Sequence, residues 1–276
     1  MMLINGESQS HILISDRGFQ YGDGLFETIE VFNGRLLFIE QHLKRLTVSC
    51  EKLRIPPPNP QQLLDEAQSL IQNSDNAVLK IIITRGSGGR GYKMPEVIQP
   101  TRVLSLHPFP EYPLAFQQGV RVIFCQQRLG LNPILAGLKH LNRLEQILAR
   151  AEWHTADIQE GLLLDLNGFC IEGTMSNVFF VKNTVLYTPT LHQAGVAGIM
   201  RDFVLQTAAA LEIKVVQGQF LPEQFYAADE LFLSNSVIGI WPIKQLEQTF
   251  FPHGKLTQQL QHQLAQFKQQ VIADEN

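Results

Sequence analysis

The amino-acid sequence predicts a mixed α/β (α+β) protein with two domains. A short-range hairpin signal at Asn33-Gly34 joins two β-rich runs, and apolar residues at helical spacing follow it directly. A stretch with three prolines at 107–113 then interrupts the chain, and strand-rich sequence resumes after it. Because 276 residues are enough for two ordinary domains, we expect one on each side of this stretch.

The first half is predicted as an antiparallel α+β layout. Residues 24–38 form two strands around the Asn33-Gly34 turn, and a helix follows, which the prolines at 56–58 end. Asn59 with Pro60 then supplies the N-cap and first turn of a second helix. The apolar stripe of the first helix is Ile39, Leu43, Leu46, Cys50 and Leu53, and the later strands are 78–84 and 102–106.

The second half alternates strands and helices. Residues 161–189 are typical of a meander, with turns at Asn167-Gly168 and Lys182-Asn183. The domain bounds predicted from these patterns are 1–107, a linker at 108–118, and 119–276. The other predicted elements are a strand at 120–125, a helix stripe of Leu141, Leu144, Leu148 and Ala151, strands at 213–216 and 230–233, and a last helix over 256–271.

Composition excludes several classes of function. A net charge of −4 gives no basic field for a nucleic-acid backbone or an anionic membrane. The start of the chain has no basic and apolar leader pattern, and no apolar run reaches membrane-spanning length, so we expect a cytoplasmic protein. The cysteines Cys50, Cys125 and Cys170 are scattered and lack metal-ligand spacing, which predicts buried, reduced thiols and no metal site.

A glycine-rich segment at 86–91 (GSGGRG) formally matches the dinucleotide-binding fingerprint. That fingerprint needs a helix whose N-terminus faces a pyrophosphate, and the residues at 92–95 show no helical period. We therefore interpret the segment as a mobile loop that presents Arg90 and Tyr92 to a carboxylate. The alternative is a solvated surface loop.

Three further features together suggest a cofactor site. Lys139 precedes a predicted helix and follows a small apolar run, which favours a lowered pKa and a reactive amine. Glu172 ends a strand between apolar neighbours, so its carboxylate needs a partner. A glycine-rich helix start at 195–201 offers backbone amides to a phosphate. An amine, a partner for a ring nitrogen and a phosphate cradle are what pyridoxal 5′-phosphate requires, whereas a solvated lysine and an ordinary ion pair are the alternatives for the first two.

At these residues the chain resembles the fold-type IV family of pyridoxal-phosphate enzymes. This family includes branched-chain aminotransferases, D-amino acid aminotransferases and 4-amino-4-deoxychorismate lyases. The resemblance runs nearly end to end, and the segments 85–92 (RGSGGRGY) and 136–146 (AGLKHLNRLEQ) look most like the lyases. The other matching segments are 16–27 (DRGFQYGDGLFE), 42–46 (HLKRL), 172–177 (EGTMSN), 198–201 (GIMR) and 234–236 (SNS).

The resemblance implies a two-domain fold of the D-amino acid aminotransferase type with the cofactor in the interdomain cleft, and a homodimer. It implies that Lys139 is the catalytic Schiff-base lysine and that Glu172 is the partner of the pyridine nitrogen. The implied phosphate and cofactor contacts are Arg45, Ile199, Met200, Asn235 and Ser236, and the expected substrate contacts are Arg90, Tyr92, Phe26 and Thr28. At 236 this chain has serine where related aminotransferases carry threonine, which keeps the hydroxyl but constrains its rotamer less.

The implied reaction is the elimination of pyruvate from 4-amino-4-deoxychorismate to give 4-aminobenzoate for folate biosynthesis. A D-amino acid or branched-chain aminotransferase on the same scaffold is the alternative, since it needs the same base. A non-catalytic pyridoxal-phosphate protein is a more distant alternative, which the presence of Lys139 and Glu172 disfavours.

Overall fold

The computed structural model describes residues 1–273 and divides the chain into two compact units. The first boundary, at Pro110, falls inside the predicted linker 108–118. The domain bounds 1–107 and 119–276 place 139–142 in the second domain, whereas these four residues cluster with the first unit. The bounds therefore stay a prediction. Unit 1 is Met1–Pro110 with Lys139–Asn142 and the chain from Gln270 onward, and unit 2 is Glu111–Leu138 with Arg143–Gln269.

Unit 1 is built on an antiparallel sheet whose strands run in the order β2-β1-β6-β5-β3-β4. The predicted hairpin is confirmed: Asn33 and Gly34 both adopt positive φ, which a tight two-residue turn requires. Alternate residues of the central strand β3 face the core. The strands are β1 Met2–Ile4, β2 Glu7–Ser8, β3 Gly24–Phe32, β4 Arg35–Leu36, β5 Asn76–Thr84 and β6 Thr101–Pro108.

Two of the three helices described below begin where a side chain caps them, whereas Phe38, the N-cap of the helix that starts at Ile39, makes no such hydrogen bond. Asn59 accepts hydrogen bonds from the amides of Gln61 and Gln62, which confirms the predicted N-cap. Asp16 accepts from Gly18 in the same way and starts a one-turn helix that apolar periodicity does not reveal. The helices are α1 Arg17–Tyr21, α2 Ile39–Lys52 and α3 Pro60–Ile71.

Unit 2 contains a mixed sheet in the order β12-β11-β10-β13-β14-β7-β8-β9, with β15 paired to β14. The pairs β11/β12, β14/β7 and β7/β8 are parallel, and the other described pairs are antiparallel. Aromatic side chains fill its core, with Phe180 stacked on Tyr187 at a centroid distance of 4.7 Å. The strands are β7 Val120–Leu129, β8 Glu160–Asp165, β9 Cys170–Gly173, β10 Asn177–Lys182, β11 Val185–Pro189, β12 Val215–Gly218, β13 Glu230–Asn235, β14 Gly239–Leu246 and β15 Thr249–Phe250.

The first helix of this half differs from the predicted stripe of Leu141, Leu144, Leu148 and Ala151. The helix begins only at Leu144, so Leu141 lies before it. Leu144, Leu148 and Ala151 are exposed, and Ala149 is the residue that packs inward. All three cysteines are buried and free, as predicted. The helices are α4 Leu144–Arg150, α5 Ile199–Ala210, α6 Pro222–Tyr226 and α7 Lys255–Ala273, and a 3₁₀ turn covers Leu114–Gln117.

Candidate active site

Lys139 is held against the start of strand β3. Its carbonyl oxygen accepts a hydrogen bond from the amide of Phe26 at 2.9 Å, and the amide of Leu141 donates to the carbonyl of Gly24 at 3.0 Å. The Lys139 ammonium lies 4.2 Å from the centre of the Phe26 ring, within the range of a cation–π contact. A Cβ on Gly24 would stand 2.4 Å from the carbonyl oxygen of Ile83, so the backbones approach too closely for any other residue. The sheet thus fixes the backbone of Lys139, and the amine lies over the ring of Phe26.

A buried ionic cluster lies one residue along the same strand. Glu27 is 1% exposed and His42 is fully buried, and His42 Nδ1 lies 2.7 Å from Glu27 Oε2. Arg45 donates through Nε to Glu27 Oε1 at 2.8 Å and also contacts Oε2 through Nη2. The Arg45 side chain is only 12% exposed. The apolar stripe of α2 predicts a surface position for Arg45, and Glu27 is the reason that it is not one.

The protonation states of Glu27 and His42 depend on burial and on the charged groups around them. Burial alone would raise the pKa of Glu27, but the positive charge of Arg45 and the hydrogen bonds from His42 and Arg45 lower it to about 2. Burial lowers the pKa of His42, and the charges of Arg45 and Lys139 act in the same direction against the opposing effect of Glu27. His42 is therefore neutral at pH 7 and donates Nδ1–H to the carboxylate. Its Nε2 has no hydrogen-bond partner among the described residues.

Sequence reasoning missed Glu27 and His42, although alternation along β3 carries a signal for the first. Leu25, Ile29 and Val31 are all fully buried, and Glu27 occupies the same face of the strand. A carboxylate at such a position requires a partner. Phe26 and Thr28 alternate with it and are half-buried on the other face.

In unit 2, Glu172 holds a backbone segment in place. It is 4% exposed, as the sequence predicts for a partly buried carboxylate, and its Oε2 accepts the amide of Val196 at 2.7 Å. The carbonyl of Val196 accepts from Asn177 Nδ2 at 2.9 Å, so this residue is clamped on both sides. Burial lowers the pKa of Arg143, an effect that the charge of Glu172 opposes.

The clamped segment leads into the N-terminus of α5. Gly198 is the N-cap and no side chain caps this end, so the first-turn amides, among them those of Ile199 and Met200, point out of the helix without a side-chain partner. A Cβ on Gly198 would lie 2.1 Å from Asn177 Oδ1, and a Cβ on Gly195, whose φ is +87°, would lie 3.2 Å from Glu172 Oε2. The glycines therefore let the backbone pass close to these two side chains, and the helix end has the character of an anion site.

A second loop, after β13, is organised by Asn235. Its Oδ1 accepts the amides of Val237 and Ile238, each at 2.8 Å, and its Nδ2 donates to the carbonyl of Met175 at 3.0 Å. The amide side chain is therefore engaged by the protein itself, which makes Asn235 a residue that shapes the loop. Ser236, beside it, is half-buried.

The loop that follows Glu172 has its own anchor, which the sequence does not reveal. Glu160, 1% exposed, accepts hydrogen bonds through Oε2 from Ser176 Oγ at 2.8 Å and the Met175 amide at 3.2 Å. Its Oε1 accepts from the amides of Gly161 and Thr174 and from the Thr174 hydroxyl at 2.5 Å. Burial raises the pKa of Glu160 against the lowering effect of these bonds.

The predicted substrate contacts on the glycine-rich loop are at the surface. Tyr92 is 87% exposed and Arg90 is exposed as well. No helix follows the loop, which agrees with rejection of the dinucleotide fingerprint. Within residues 1–273 no cluster of three or more His, Cys, Asp or Glu side chains has metal-site geometry. None of the helices in that range is long and apolar enough to span a membrane.

The family of the chain follows from comparison with known proteins. Residues 24–246 match the family described as amino-transferase class IV, and the chain belongs to this family. The predicted resemblance and fold class are confirmed, and the family's cofactor is pyridoxal 5′-phosphate.

Two similar lyases align over nearly the whole chain, and a branched-chain aminotransferase shares the fold. An aminodeoxychorismate lyase of Vibrio harveyi is 39% identical over 96% of this chain and 99% of its own. The crystal structure of 4-amino-4-deoxychorismate lyase from Pseudomonas aeruginosa superposes with a TM-score of 0.93 at 42% identity, covering 96% of this chain and 98% of that one. The branched-chain aminotransferase of Escherichia coli gives 0.87 at 25% identity, covering 96% and 93%.

The residues present fit the cofactor. Unit 1 supplies a primary amine, Lys139, whose backbone is fixed, together with the Arg45 cation. Unit 2 supplies a buried carboxylate, Glu172, and a helix N-terminus that no side chain caps. An amine, a carboxylate and an anion cradle are the groups that an aldehyde, a ring nitrogen and a phosphate require.

Proposed function

We propose that the chain is a 4-amino-4-deoxychorismate lyase, which eliminates pyruvate from its substrate and releases 4-aminobenzoate for folate biosynthesis. The observation that carries this proposal is the joint presence of the fixed amine of Lys139 and the clamped carboxylate of Glu172 in a chain 39–42% identical to lyases over nearly its whole length. The identity to branched-chain aminotransferases is lower, at 25% for the Escherichia coli structure and 33% for a putative one of Methanocaldococcus jannaschii. The enzyme class is accordingly a carbon–oxygen lyase.

When bound, pyridoxal 5′-phosphate supplies an electron sink that makes the carbon bearing the substrate amine acidic. Lys139 Nζ, as a neutral amine, removes the proton from that carbon. The carbon–oxygen bond to the neighbouring enolpyruvyl group then breaks, and the ring becomes aromatic. Lys139 Nζ returns the proton to the departing enolpyruvate, which gives pyruvate, so that substrate atoms equal product atoms.

The other residues bind and orient. Glu172 would hold the ring nitrogen protonated, and its Oε2 also accepts the Val196 amide. Arg45, Ser236 and the amides of Ile199 and Met200 would hold the phosphate, and Asn235 shapes the loop that carries Ser236. The ion pair with Glu27 holds the Arg45 guanidinium in one orientation.

The substrate carries two carboxylates, and Arg90 with Tyr92 are the donors that we assign to them. Because the chain has a net charge of −4, its overall field does not attract a dianion, and local donors must bind it. Arg90 can make a charge-assisted hydrogen bond to a carboxylate, which is stronger than a neutral one. Phe26 and Thr28, on the half-buried face of β3, line the side of the substrate ring. Phe26 also supports the Lys139 amine through the ring contact described above.

We also propose a homodimer that works in the cytosol. Helix α4 exposes Leu144 at 72%, Ile147 at 60% and Leu148 at 57%, three large apolar side chains spaced to lie on one face of the helix, and exposed apolar patches mark interaction surfaces. A second copy of the chain covers this surface. Sedimentation equilibrium should give twice the 31.2 kDa chain mass, and replacement of Leu144 and Leu148 by glutamate should give monomers. A monomeric wild-type protein would contradict the dimer.

The decisive assay uses substrate made enzymatically from chorismate. We expect equal amounts of 4-aminobenzoate and pyruvate from the wild-type protein and none from Lys139→Ala, which retains cofactor through its phosphate contacts but lacks the base. D-alanine and leucine transamination are measured alongside. Amino-group transfer without 4-aminobenzoate would make the chain an aminotransferase, and cofactor binding without either reaction would make it a non-catalytic carrier.

The site itself has an independent test. Borohydride reduction of the yellow holoprotein should attach the cofactor covalently to Lys139, because the bond between its amine and the aldehyde is reducible. Peptide mapping locates the phosphopyridoxyl group, with Lys80, which lies 5.4 Å from the same Phe26 ring, as the internal control. Labelling of Lys80 or another lysine would refute the assignment of Lys139.

A further inference from the structure

Arg17 lies buried beneath the glycine-rich loop. It belongs to the 16–27 segment of the family resemblance, yet the proposed reaction gives it no role. Its side chain is 6% exposed, and the two N–H groups of a single nitrogen, Nη1, are shared among three loop carbonyls: Gly91 at 3.0 Å, Gly88 at 3.4 Å and Lys93 at 3.4 Å. Three acceptors that converge on one guanidinium fix the backbone of a loop that has no secondary structure of its own.

The Arg17 guanidinium is itself held by the carboxylate of Asp23. Arg17 Nε donates to Asp23 Oδ2 at 2.8 Å, and Arg85 donates to both oxygens of the same carboxylate at 2.8 and 2.9 Å. Burial would raise the pKa of Asp23, but the hydrogen bonds from Arg85 and Arg17 outweigh it and lower the pKa. Arg85 also donates to the carbonyls of Leu53 and Arg54 at the end of α2. The support therefore extends from the loop to the sheet and the helix.

Backbone geometry in the loop agrees with this support. Gly89 has a φ of +77°, and a Cβ there would lie 2.3 Å from the carbonyl oxygen of Lys93 and 3.3 Å from Arg17 Nη1. The glycine thus lets the loop fold tightly over the guanidinium. The Arg17 amide also donates to the Gly86 carbonyl at 2.9 Å, so the same residue holds the stem of the loop.

Contacts between aromatic rings connect Arg17 to the exposed tip. The Arg17 guanidinium lies 5.0 Å from the centre of the Tyr21 ring, and Tyr21 meets Tyr92 edge to face at 5.7 Å. Tyr92 is 87% exposed, so few other contacts restrain it.

We infer that Arg17 is a positioning residue for substrate recognition: it holds the glycine-rich loop in the one conformation that presents Arg90 and Tyr92 to a dicarboxylate. The identity of the substrate in this inference rests on the proposed function. The contacts by which Arg17 holds the loop do not depend on that function. The glycine content of the loop predicts that it is mobile. In our inference Arg17 instead orders the loop before the substrate arrives, which lowers the entropy cost of binding.

The test compares Arg17→Met and Arg17→Lys with Arg102→Lys in the cofactor-loaded protein. Arg102 is a matched control because its guanidinium is also largely buried in unit 1 but bonds Glu66, at 2.7 and 2.5 Å. Hydrogen–deuterium exchange of peptides covering 86–95 reports loop order without any reaction. We expect faster exchange there in both Arg17 variants and unchanged exchange in Arg102→Lys.

Steady-state kinetics with aminodeoxychorismate supply the second measurement. In the Arg17 variants we expect KM to rise about tenfold, equivalent to about 1.4 kcal/mol, with kcat within about twofold of wild type. The reason is that the loop contacts the substrate carboxylates equally in the ground state and the transition state. Unchanged loop exchange would overturn the inference, and so would faster exchange with an unchanged KM. If Arg17→Met increases hydrogen–deuterium exchange throughout unit 1, the inference is judged on Arg17→Lys, which keeps an ion pair with Asp23. If the wild type releases no 4-aminobenzoate, the proposed function fails and exchange alone judges the hold on the loop.

Discussion

Glu27 in unit 1 and Glu160 in unit 2 are the same residue type at the same burial, 1% exposed, in opposite electrostatic surroundings. Glu27 faces a cation and a histidine, and its pKa falls to about 2. Glu160 accepts hydrogen bonds from backbone amides and side-chain hydroxyls, and burial raises its pKa. Burial acts equally on both, so the charge of the donors decides the direction.

The difference matches what each region has to hold. The Glu27 cluster orients a charged side chain, Arg45, and a fixed anion is what orients a guanidinium. The Glu160 cluster orients the backbone of 173–176, which continues from Glu172 to Asn177, and neutral amides suffice for that. Unit 1 therefore orients its candidate residue by ion pairing, and unit 2 orients its backbone by hydrogen bonds.

The largest expected effect is in Glu27→Gln. Removing the anion takes away the counter-charge that Glu27 supplies to the largely buried Arg45, and breaking one partner of a buried ion pair costs about 3–5 kcal/mol. We expect a loss of that size in the free energy of unfolding, measured by urea titration of the cofactor-free protein. The exposed pair Lys182–Asp229 is the control, and Lys182→Ala should stay within about 0.5 kcal/mol of wild type. Equal losses in the two variants would mean that the Glu27 cluster is not held by charge.

Glu160→Gln should cost less, about 1–3 kcal/mol. The glutamine amide keeps the shape of the side chain and one acceptor oxygen. Its NH₂ group replaces Oε2, however, and cannot accept the hydrogen bonds that Met175 and Ser176 donate there. It also removes a buried charge, which offsets part of the loss. The same urea titration measures it, and a loss larger than that of Glu27→Gln would reverse the comparison.

Much of the scaffold around these two residues is predictable because its signals are local. The Asn33-Gly34 turn and the Asn59 cap depend on neighbouring residues only, and the structure has both. Lys139 and Glu172 are predictable as candidates, since their surroundings in sequence are unusual for charged residues. The contact of Lys139 with Phe26 is not, because it joins positions 113 apart through pairing with β3.

Other features depend on tertiary partners that no window of sequence contains. Arg45 is nearly buried because Glu27, 18 positions earlier, needs a counter-charge. The leucines of α4 read as a core stripe, yet Leu144 and Leu148 are exposed, since Ala149 faces the core. Periodicity reports that a helix has an apolar face but not what covers that face.

The pH dependence of stability should separate the two carboxylates. The folded pKa of Glu27, about 2, lies below the ordinary value of about 4.3, so its contribution is complete above about pH 4.3 and is lost as pH falls toward 2. The folded pKa of Glu160 is raised, so its contribution is complete below about pH 4.3 and is lost as pH rises through the folded pKa. Urea midpoints between pH 7 and 2.5 should show Glu27→Gln flattening the acid side and Glu160→Gln altering the slope above pH 4.3. Identical profiles in the two variants would contradict opposite shifts.

The smallest effect concerns a single neutral donor to Glu160. Ser176→Ala removes the 2.8 Å hydrogen bond to Oε2 but leaves the Met175 amide on the same oxygen, so we expect a loss of about 1 kcal/mol. The affinity for pyridoxal 5′-phosphate, measured by fluorescence titration of the cofactor-free protein, should fall only slightly, because Glu172 and Asn177 still clamp Val196. Asn177→Ala is the matched comparison, since it breaks that clamp directly and should weaken cofactor binding more than Ser176→Ala does. Equal affinities in the two variants would show that the position of Val196 does not depend on the Asn177 side chain, and the backbone half of the site would then rest on Glu172 alone.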